Sequence, residues 1–244
     1  LMIETMAKKL EEASLLPARI VKSQVFGKQF HTICSGGAYL DPKYIDMFRK
    51  YDIVIQQGYG MTECAPVISV NQSWNIRSDS VGQLLPNCEA KTVDGELWVK
   101  GSSVMQGYYK MPEETAGTLE DGWLKTGDLG YADEDGFVYL TGRKKNLIIT
   151  KNGENVSPEE LENALSTNRL VGEILVREKG GVIEAEIYPD QDYVEKKRIK
   201  DVRGKLQEAI DEYNKTAAPQ KRIYSLIVRD KEFEKTTTRK IKRF

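Results

Sequence analysis

Histidine is almost absent from this 244-residue sequence, which contains His31 and no other. Metal sites built from several histidines are therefore excluded, and a Ser-His-Asp triad or a Cys-His pair would have a single candidate base. The three cysteines, Cys34, Cys64 and Cys88, show no CxxC spacing. This pattern argues against a disulfide framework or a structural zinc site, and we expect all three to be buried as small apolar side chains.

Long apolar runs are also missing. No stretch approaches the roughly 18 uninterrupted apolar residues of a membrane span, and the first residues lack the basic flank and apolar run of a signal peptide. We therefore expect a cytoplasmic protein without a transmembrane segment, and peripheral attachment to a membrane stays open. The net charge of −1 gives no general attraction to nucleic acid. Because the sequence opens at Leu1, we expect it to be a piece of a longer polypeptide.

Charge divides the sequence near Arg143. Residues 1–142 carry 13 basic and 19 acidic side chains, whereas residues 143–244 carry 23 basic and 18 acidic ones. A chain of 244 residues is long enough for one to two domains of roughly 100 to 200 residues each. We therefore expect a domain boundary close to this point.

The first part of the sequence predicts strand, helix and strand with short connections. The expected elements are a helix within 1–16, a strand at 30–34, a helix from the pair Asp41-Pro42 to about Lys50, and a buried strand at 53–55. Such an order is typical of a parallel α/β layer, which binds ligands at the carboxyl ends of its strands. The two loops at that edge would be 35–40 and 57–63.

The remainder of the sequence changes character twice. Between 81 and 140, three Asp-Gly pairs predict antiparallel hairpins, with turns at 94–95, 121–122 and 135–136. The last hundred residues predict a small α+β domain. Its expected elements are a strand at 147–150, an Asn152-Gly153 turn, a helix opened by a capping box of Ser157, Pro158 and Glu160, strands near 174–177 and 182–188, a helix of about twenty residues from Asp192, and a strand at 223–228.

One short segment carries chemistry of its own. Gln57-Gly58-Tyr59-Gly60-Met61-Thr62-Glu63 follows a buried strand, and its glycines let the backbone approach a ligand closely. The segment presents a ring, a hydroxyl and a carboxylate, which are suitable partners for adenine, phosphate and Mg²⁺. Taken alone, the same segment is also compatible with an ordinary structural loop.

Five segments, in order, resemble the adenylate-forming superfamily of acyl-CoA synthetases, luciferases and peptide-synthetase adenylation domains. They are SGGAYL at 35–40, GYGMTE at 58–63, GELWVKGSSVMQGYY at 95–109, WLKTGDLGYADEDGFVYLTGRKKNLIITKNGENVSPEELE at 123–162, and KTTTRKIKR at 235–243. The amino-acid sequences GYGMTECAPVISVN and NGENVSPEELE most resemble those of long-chain fatty-acid synthetases.

The resemblance implies two half-reactions that use ATP, Mg²⁺ and CoA. A carboxylate attacks the α-phosphate of ATP to give an acyl-adenylate, and a thiol then displaces AMP. By matching position, Tyr59 would stack on adenine, Thr62 would touch phosphate, Glu63 would hold Mg²⁺, and Asp128 would accept hydrogen bonds from the ribose hydroxyls. The nucleotide would also contact Gly36, Gly37, Ala38 and Gly60.

Four positions of the second half carry further roles by resemblance. Arg143 would contact ribose and phosphate, and Lys145 would be the hinge about which a mobile domain turns between the half-reactions. Gly153 would line the thiol tunnel, and Lys240 would be the adenylation lysine. Arg239 stands where the family commonly has glycine, which puts the register of Lys240 in question. Without the resemblance, Arg143 reads as a surface charge, Gly153 as a hairpin turn and 235–244 as a disordered basic tail.

The implied fold class is α/β plus α+β. Its parts would be the remnant of a large α/β nucleotide-binding domain at 1–80, a β-rich subdomain at 81–142, a hinge at 143–145 and a small mobile α+β domain at 146–244. No segment resembles the family's Ser/Thr/Gly-rich phosphate loop, so we expect this chain to be inactive alone.

Three functions are left open by the sequence. The first is part of a ligase that joins a long- or medium-chain fatty acid, or another carboxylate, to CoA. The second is a related enzyme whose acceptor is the phosphopantetheine of a carrier protein. The third is a non-catalytic nucleotide-binding or scaffold protein, although a scaffold has no need of the charges at Glu63, Asp128, Arg143 and Lys240.

Overall fold

The computed structural model describes residues 2–12, 16–236 and 241–243. The chain forms two compact units, the first comprising residues 1–140 and the second beginning at Thr141. Each unit has hydrophobic cores of its own. Among the described residues, no helix combines the length and the apolar character needed to cross a membrane.

The first unit opens with an α/β layer. Its elements are α1 (Met2–Glu12), α2 (Ala18–Val25), β1 (Thr32–Gly36), α3 (Pro42–Arg49), β2 (Val54–Gly60), β3 (Val67–Val70) and β4 (Gln83–Leu84). The strands form one sheet in the order β1-β2-β3-β4, in which β1 and β2 run parallel and the other pairs are antiparallel. Helix α3 begins where predicted because the Asp41 carboxylate accepts a hydrogen bond from the Lys43 amide at 2.9 Å.

Strand alternation decides what this layer buries. Ile33 of β1 faces the core, together with Phe48 of α3 and Ile55 of β2. Cys34 is the next residue along β1, so its side chain points to the opposite face and is exposed. The expectation that all three cysteines are buried is therefore wrong for Cys34, whereas Cys64 and Cys88 are buried and free.

The first unit continues as a five-stranded sheet. Its elements are β5 (Cys88–Val93), β6 (Glu96–Gly101), α4 (Pro112–Thr118), β7 (Leu119–Glu120), β8 (Trp123–Ala132) and β9 (Val138–Arg143), with strand order β5-β6-β8-β7 and β9 paired to β8. The pairs at 94–95 and 121–122 form the predicted hairpin turns. Asp94 and Asp121 have φ of 50° and 49°, and both following glycines have φ of 79°, the left-handed values of type I′ turns.

The second unit is an α+β arrangement. Its elements are β10 (Ile148–Ile149), β11 (Asn155–Val156), α5 (Pro158–Ser166), β12 (Val171–Lys179), β13 (Val182–Pro189), α6 (Gln191–Lys197), α7 (Val202–Thr216) and β14 (Ile223–Val228). Strands β10 and β11 form an antiparallel ribbon, and β13 lies between antiparallel β12 and parallel β14. Helices α5 and α7 contribute Leu161, Leu165, Leu206 and Ile210 to the core against this sheet. The predicted mixture of α/β and α+β structure is confirmed.

Two predicted features of the second unit are wrong. The helix expected from Asp192 is broken, because Arg198 adopts a left-handed conformation with φ of 51° and ends α6. Helix α7 then starts from Asp201, whose carboxylate accepts a hydrogen bond from the Gly204 amide at 2.8 Å. An Asp N-cap in the middle of a charged, helix-favouring stretch was therefore the missed signal.

The capping box at the start of α5 is not formed either, although the helix begins at the predicted residue. The Ser157 hydroxyl lies 2.8 Å from the Thr141 carbonyl oxygen and makes no capping bond. The Glu160 carboxylate instead pairs with Lys221 at 2.7 Å. Ser157 also lies 3.0 Å from Glu159 Oε2, so both side chains of the predicted box form hydrogen bonds or ion pairs with other groups.

We expect residues 141–244 to fold when produced alone. Among the described residues, 14 buried side chains form its core and all of them come from this segment, which also keeps the contact between Ser157 and Thr141. Dispersed amide signals in an NMR spectrum and cooperative thermal unfolding would show it. Replacing fully buried Ile210 by Ala should lower the free energy of unfolding by about 3 kcal/mol. The same change at exposed Tyr224 should alter it by less than about 1 kcal/mol. A segment without dispersed signals would mean that this core depends on the first unit.

Candidate nucleotide site

Two glycine-containing segments meet at the carboxyl ends of β1 and β2. Gly36 pairs with Gly58 in the parallel register, although 22 positions separate them in the sequence. Gly37 follows with φ of 78° and Ala38 is exposed, so the turn after β1 begins directly after the Gly36–Gly58 pair. The two segments therefore lie at the carboxyl edge of the parallel strands, where sheets of this kind bind ligands.

Residues 58–60 form part of a strand, so the predicted loop at 57–63 is wrong in its first half. Strand β2 runs through Gly60 and pairs with β3 on its other side. A Cβ on Gly60 would lie 1.9 Å from the Pro66 carbonyl oxygen, closer than two such atoms can approach. The second glycine is therefore required by strand packing, whatever it does for a ligand.

A buried carboxylate faces Tyr59 from the neighbouring sheet. The Tyr59 hydroxyl donates a hydrogen bond to Asp128 Oδ2 at 2.6 Å. Asp128 lies on β8 and is 5 % exposed, and its amide donates to the Thr126 hydroxyl at 3.1 Å. That hydroxyl in turn donates to the Leu97 carbonyl oxygen at 2.6 Å. The bond to Thr126 fixes the backbone of Asp128, and the bond from Tyr59 orients its carboxylate, which can accept further hydroxyl donors.

A short helical turn presents the second carboxylate. Residues Thr62–Cys64 form a 3₁₀ turn that ends at Ala65, whose φ is 43°. Cys64 is buried beneath the turn, while Thr62 is exposed. The Tyr108 hydroxyl donates to Glu63 Oε1 at 2.8 Å. This hydrogen bond, with burial and the charge of Glu63 adding to it, raises the pKa of Tyr108 above its usual value.

The donor set suits a cation that brings its own ligands. Within the described ranges, no group of three or more His, Cys, Asp or Glu side chains could hold a metal ion. Glu63 therefore supplies a single carboxylate, with the exposed Thr62 hydroxyl next to it. Mg²⁺ is commonly bound in this way, through one or two carboxylates together with phosphate oxygens and water. The residues fit Mg²⁺ carried by a nucleotide and do not fit a metal caged by protein alone.

The other predicted site residues belong to the second unit. Arg143 is exposed at the end of β9, whose last three residues follow the division at Leu140. Lys145 is exposed in the 3₁₀ turn Lys144–Asn146. Gly153 lies at the turn between β10 and β11 with φ of 78°, and a Cβ there would meet nothing within 4 Å. Lys240 lies outside the described residues, so its predicted role is untouched by the structure.

The residues on either side of 237–240 are held to the second unit. Lys235 forms an antiparallel bridge with Ile241. Arg243 reaches both oxygens of Glu162, at 2.9 and 2.5 Å. Burial raises the pKa of Glu162, while the paired guanidinium of Arg243 acts in the opposite direction. The described parts of this segment therefore do not behave as a free basic tail.

Sequence reasoning missed Tyr108, which donates to the Glu63 carboxylate, and Thr126, which accepts a hydrogen bond from the backbone amide of Asp128. Both lie within the segments that resemble the adenylate-forming superfamily, at 95–109 and 123–162. Tyr108 nevertheless lies 45 positions from Glu63 in the sequence, and no pattern of neighbouring residues predicts that contact.

Comparison with known families and structures gives a consistent result. The family model of the AMP-binding enzymes matches residues 2–109, and that of the AMP-binding enzyme C-terminal domain matches residues 145–244. The chain is 38 % identical over 143 residues to a long-chain-fatty-acid–CoA ligase, FadD15, of Mycobacterium tuberculosis, covering 58 % of this chain and 24 % of that protein. It is 44 % identical over 165 residues to the 4-coumarate–CoA ligase-like protein 4 of Oryza sativa, covering 61 % and 30 %. It therefore spans less than a third of the length of these relatives.

Solved structures agree with the fold. The o-succinylbenzoate CoA synthetase MenE of Bacillus subtilis, in complex with its acyl-adenylate intermediate, aligns with a TM-score of 0.73 at 26 % identity, covering 91 % of this chain and 48 % of that one. The adenylation domain of a carboxylate reductase from Mycobacterium chelonae aligns with a TM-score of 0.77 at 22 % identity, covering 99 % and 42 %. The latter likeness concerns the fold alone.

We expect Gly60→Ala to destabilise the first unit by about 2 kcal/mol or more, because the new methyl group must displace the Pro66 backbone. Gly117→Ala is the matched control. Gly117 lies on exposed α4, where a Cβ would meet nothing within 4 Å, so the same change should be neutral or slightly stabilising. Chemical denaturation of both variants measures the difference. Equal stability would mean that Gly60 is not a packing constraint.

Proposed function

Because this chain belongs to the family of AMP-binding, adenylate-forming acyl- and aryl-CoA ligases, we propose that it forms the nucleotide-binding edge and the C-terminal domain of an AMP-forming acid–CoA ligase. The observation that carries the proposal is the hydrogen bond between Tyr59 and Asp128 beside the carboxyl ends of two parallel strands. This hydrogen bond supports the proposal because an aromatic ring and a buried carboxylate then lie side by side at that edge.

The proposed reaction has two steps. A carboxylate oxygen of the substrate attacks the α-phosphorus of ATP, and pyrophosphate leaves with the electrons of the broken P–O bond. The thiolate of CoA then attacks the acyl carbonyl carbon, and AMP leaves. Both steps develop negative charge at phosphate or carbonyl oxygens, so fixed positive groups and hydrogen-bond donors accelerate them.

Each described residue has a defined part in this proposal. The Tyr59 ring stacks on adenine, and Asp128 accepts hydrogen bonds from the ribose hydroxyls. Gly36, Gly37 and Ala38 offer a backbone edge without large side chains beside the nucleotide. Glu63 and Thr62 face the phosphates, where bound Mg²⁺ would neutralise the charge that develops during transfer.

The second unit supplies the mobile part of the proposal. The compact units divide between Leu140 and Thr141, and the second family model begins at residue 145. This agreement supports a hinge at 143–145, with Arg143 contacting ribose and phosphate from the hinge side. Gly153 would line the thiol tunnel in one domain orientation, and Lys240 would act in adenylation in the other.

A long- or medium-chain fatty acid is the proposed substrate. Relatives from Mycobacterium tuberculosis and Bacillus subtilis are named long-chain-fatty-acid–CoA ligases, which supports the proposal. The rice relative and MenE point instead to aromatic acids. CoA is the proposed acceptor because these relatives are named CoA ligases, and assays with both CoA and a carrier protein would separate the alternatives.

We expect this chain to bind AMP. Asp128→Asn should weaken that binding about tenfold or more, because hydrogen bonds from the ribose hydroxyls to a charged carboxylate are either lost or replaced by weaker ones to a neutral amide. Isothermal titration calorimetry measures both. The matched control is Asp79→Asn, the same change at an exposed carboxylate of the same unit, which should leave the affinity unchanged. If the unsubstituted chain does not distinguish AMP from buffer, the proposed nucleotide site is wrong.

We expect Gly153→Leu and Lys240→Ala to impair different half-reactions in a protein that joins this chain to the N-terminal portion of a related ligase. Gly153→Leu should spare adenylation and abolish thioester formation, because the side chain fills the tunnel. Lys240→Ala should slow adenylation a hundredfold or more, since losing one charge stabiliser costs on the order of 3 kcal/mol. Lys145→Pro should impair whichever half-reaction needs the less populated domain orientation.

Single-turnover kinetics of each half-reaction test these variants. Gly180→Leu is the control for backbone strain, because Gly180 also has a positive φ, of 62°, and open space around its Cβ. Equal losses for Gly153→Leu and Gly180→Leu would assign the Gly153 effect to strain. Equal loss in both half-reactions for Lys240→Ala would make this lysine structural.

A further inference from the structure

One loop holds both the backbone and the side chain of Glu63. The Met105 amide donates to the Glu63 carbonyl oxygen at 2.8 Å, and the Tyr108 hydroxyl donates to Glu63 Oε1 at the same distance. These two contacts join segments that are more than 40 positions apart in the sequence. The position of the Glu63 carboxylate is therefore set by this loop as well as by its own turn.

Tyr108 is itself fixed before it reaches Glu63. Its amide donates to the Thr115 hydroxyl at 2.9 Å, and that hydroxyl donates to the Met111 carbonyl oxygen at 2.7 Å. The preceding Gly107 has φ of 151°, and a Cβ there would lie 2.7 Å from the Thr115 methyl group. The start of α4 and the backbone of Tyr108 are thus packed together, so the Cα of Tyr108, from which the phenol extends, is held in place.

We propose that Tyr108 is a positioning residue that orients Glu63 toward a nucleotide-borne divalent cation. The phenol donates to Oε1, which leaves Oε2 as the oxygen that would be offered to a cation. Hydrogen bonds of this kind to metal-binding carboxylates typically change metal affinity 10- to 100-fold, roughly, when they are removed. The inference rests on the proposed function, because the cation arrives with the phosphates of ATP.

The adjacent tyrosine provides a matched comparison. Tyr109 is 85 % exposed, and the ammonium group of Lys110 lies 5.2 Å from the centre of its ring. Tyr109→Phe therefore removes the same atom one position away without touching Glu63. Tyr108→Phe keeps the ring and removes only the donor.

The experiment compares binding of metal-free AMP with binding of the Mn²⁺–ATP complex to the full 244-residue chain. Calorimetry measures AMP, and water-proton relaxation measures the Mn²⁺ complex. We expect Tyr108→Phe to weaken Mn²⁺–ATP binding about tenfold and to leave AMP binding unchanged. Tyr109→Phe should change neither. Glu63→Gln should weaken Mn²⁺–ATP binding at least as much, and adding Tyr108→Phe to it should have little further effect, because the two residues act as one unit.

Several outcomes would overturn the inference. Unchanged Mn²⁺–ATP binding in Tyr108→Phe would show that the hydrogen bond does not position the carboxylate. Equal weakening of AMP and Mn²⁺–ATP binding would assign Tyr108 a structural role. If the unsubstituted chain binds AMP but Glu63→Gln leaves Mn²⁺–ATP binding intact, the inference fails while the nucleotide site stands. Failure to bind either nucleotide would remove the proposed function itself.

Discussion

The close approach of backbone at Gly36, Gly58 and Gly60 is the constraint on which the candidate site depends. Gly36 pairs with Gly58 across the parallel strands, and Gly60 lies against the Pro66 carbonyl oxygen with no room for a side chain. Because of this packing, β2 remains a strand through Gly60, and the Tyr59 side chain lies within hydrogen-bond distance of Asp128. The Glu63 turn follows immediately, so its position depends on the same backbone path.

Hydrogen bonds fix the two carboxylates of the site within the protein. Asp128 accepts a hydrogen bond from Tyr59, and Glu63 accepts one from Tyr108. Each phenol comes from a segment distant in sequence, so the polar groups are oriented by the folded first unit. Fixed dipoles need little rearrangement when a charged ligand binds, which is the condition under which electrostatic stabilisation is most effective.

Local patterns predicted elements well where the signal and its partner lie close in the sequence. The N-cap Asp41, the Asp-Gly hairpin turns and the strand at 223–228 appear where expected. Predictions failed where a distant partner intervened. The glycines of 58–60 were predicted to lie in a loop, but they belong to a strand that pairs with β3. Ser157 was predicted to cap α5, but its hydroxyl donates to the Thr141 carbonyl oxygen. The break at Arg198 is a local exception, since Asp201 was a visible N-cap signal.

The sequence by itself determined the family, the mixed fold class and most of the candidate residues, Tyr108 and Thr126 excepted, because ordered motifs retain residue type and spacing. Only the tertiary structure decided that Gly36 meets Gly58, that Tyr59 donates to Asp128 and that Tyr108 holds Glu63. Hydrogen bonds and close backbone packing require that atoms far apart in the chain be placed to within a few tenths of an ångström. Residue spacing along a sequence carries no measure of those distances.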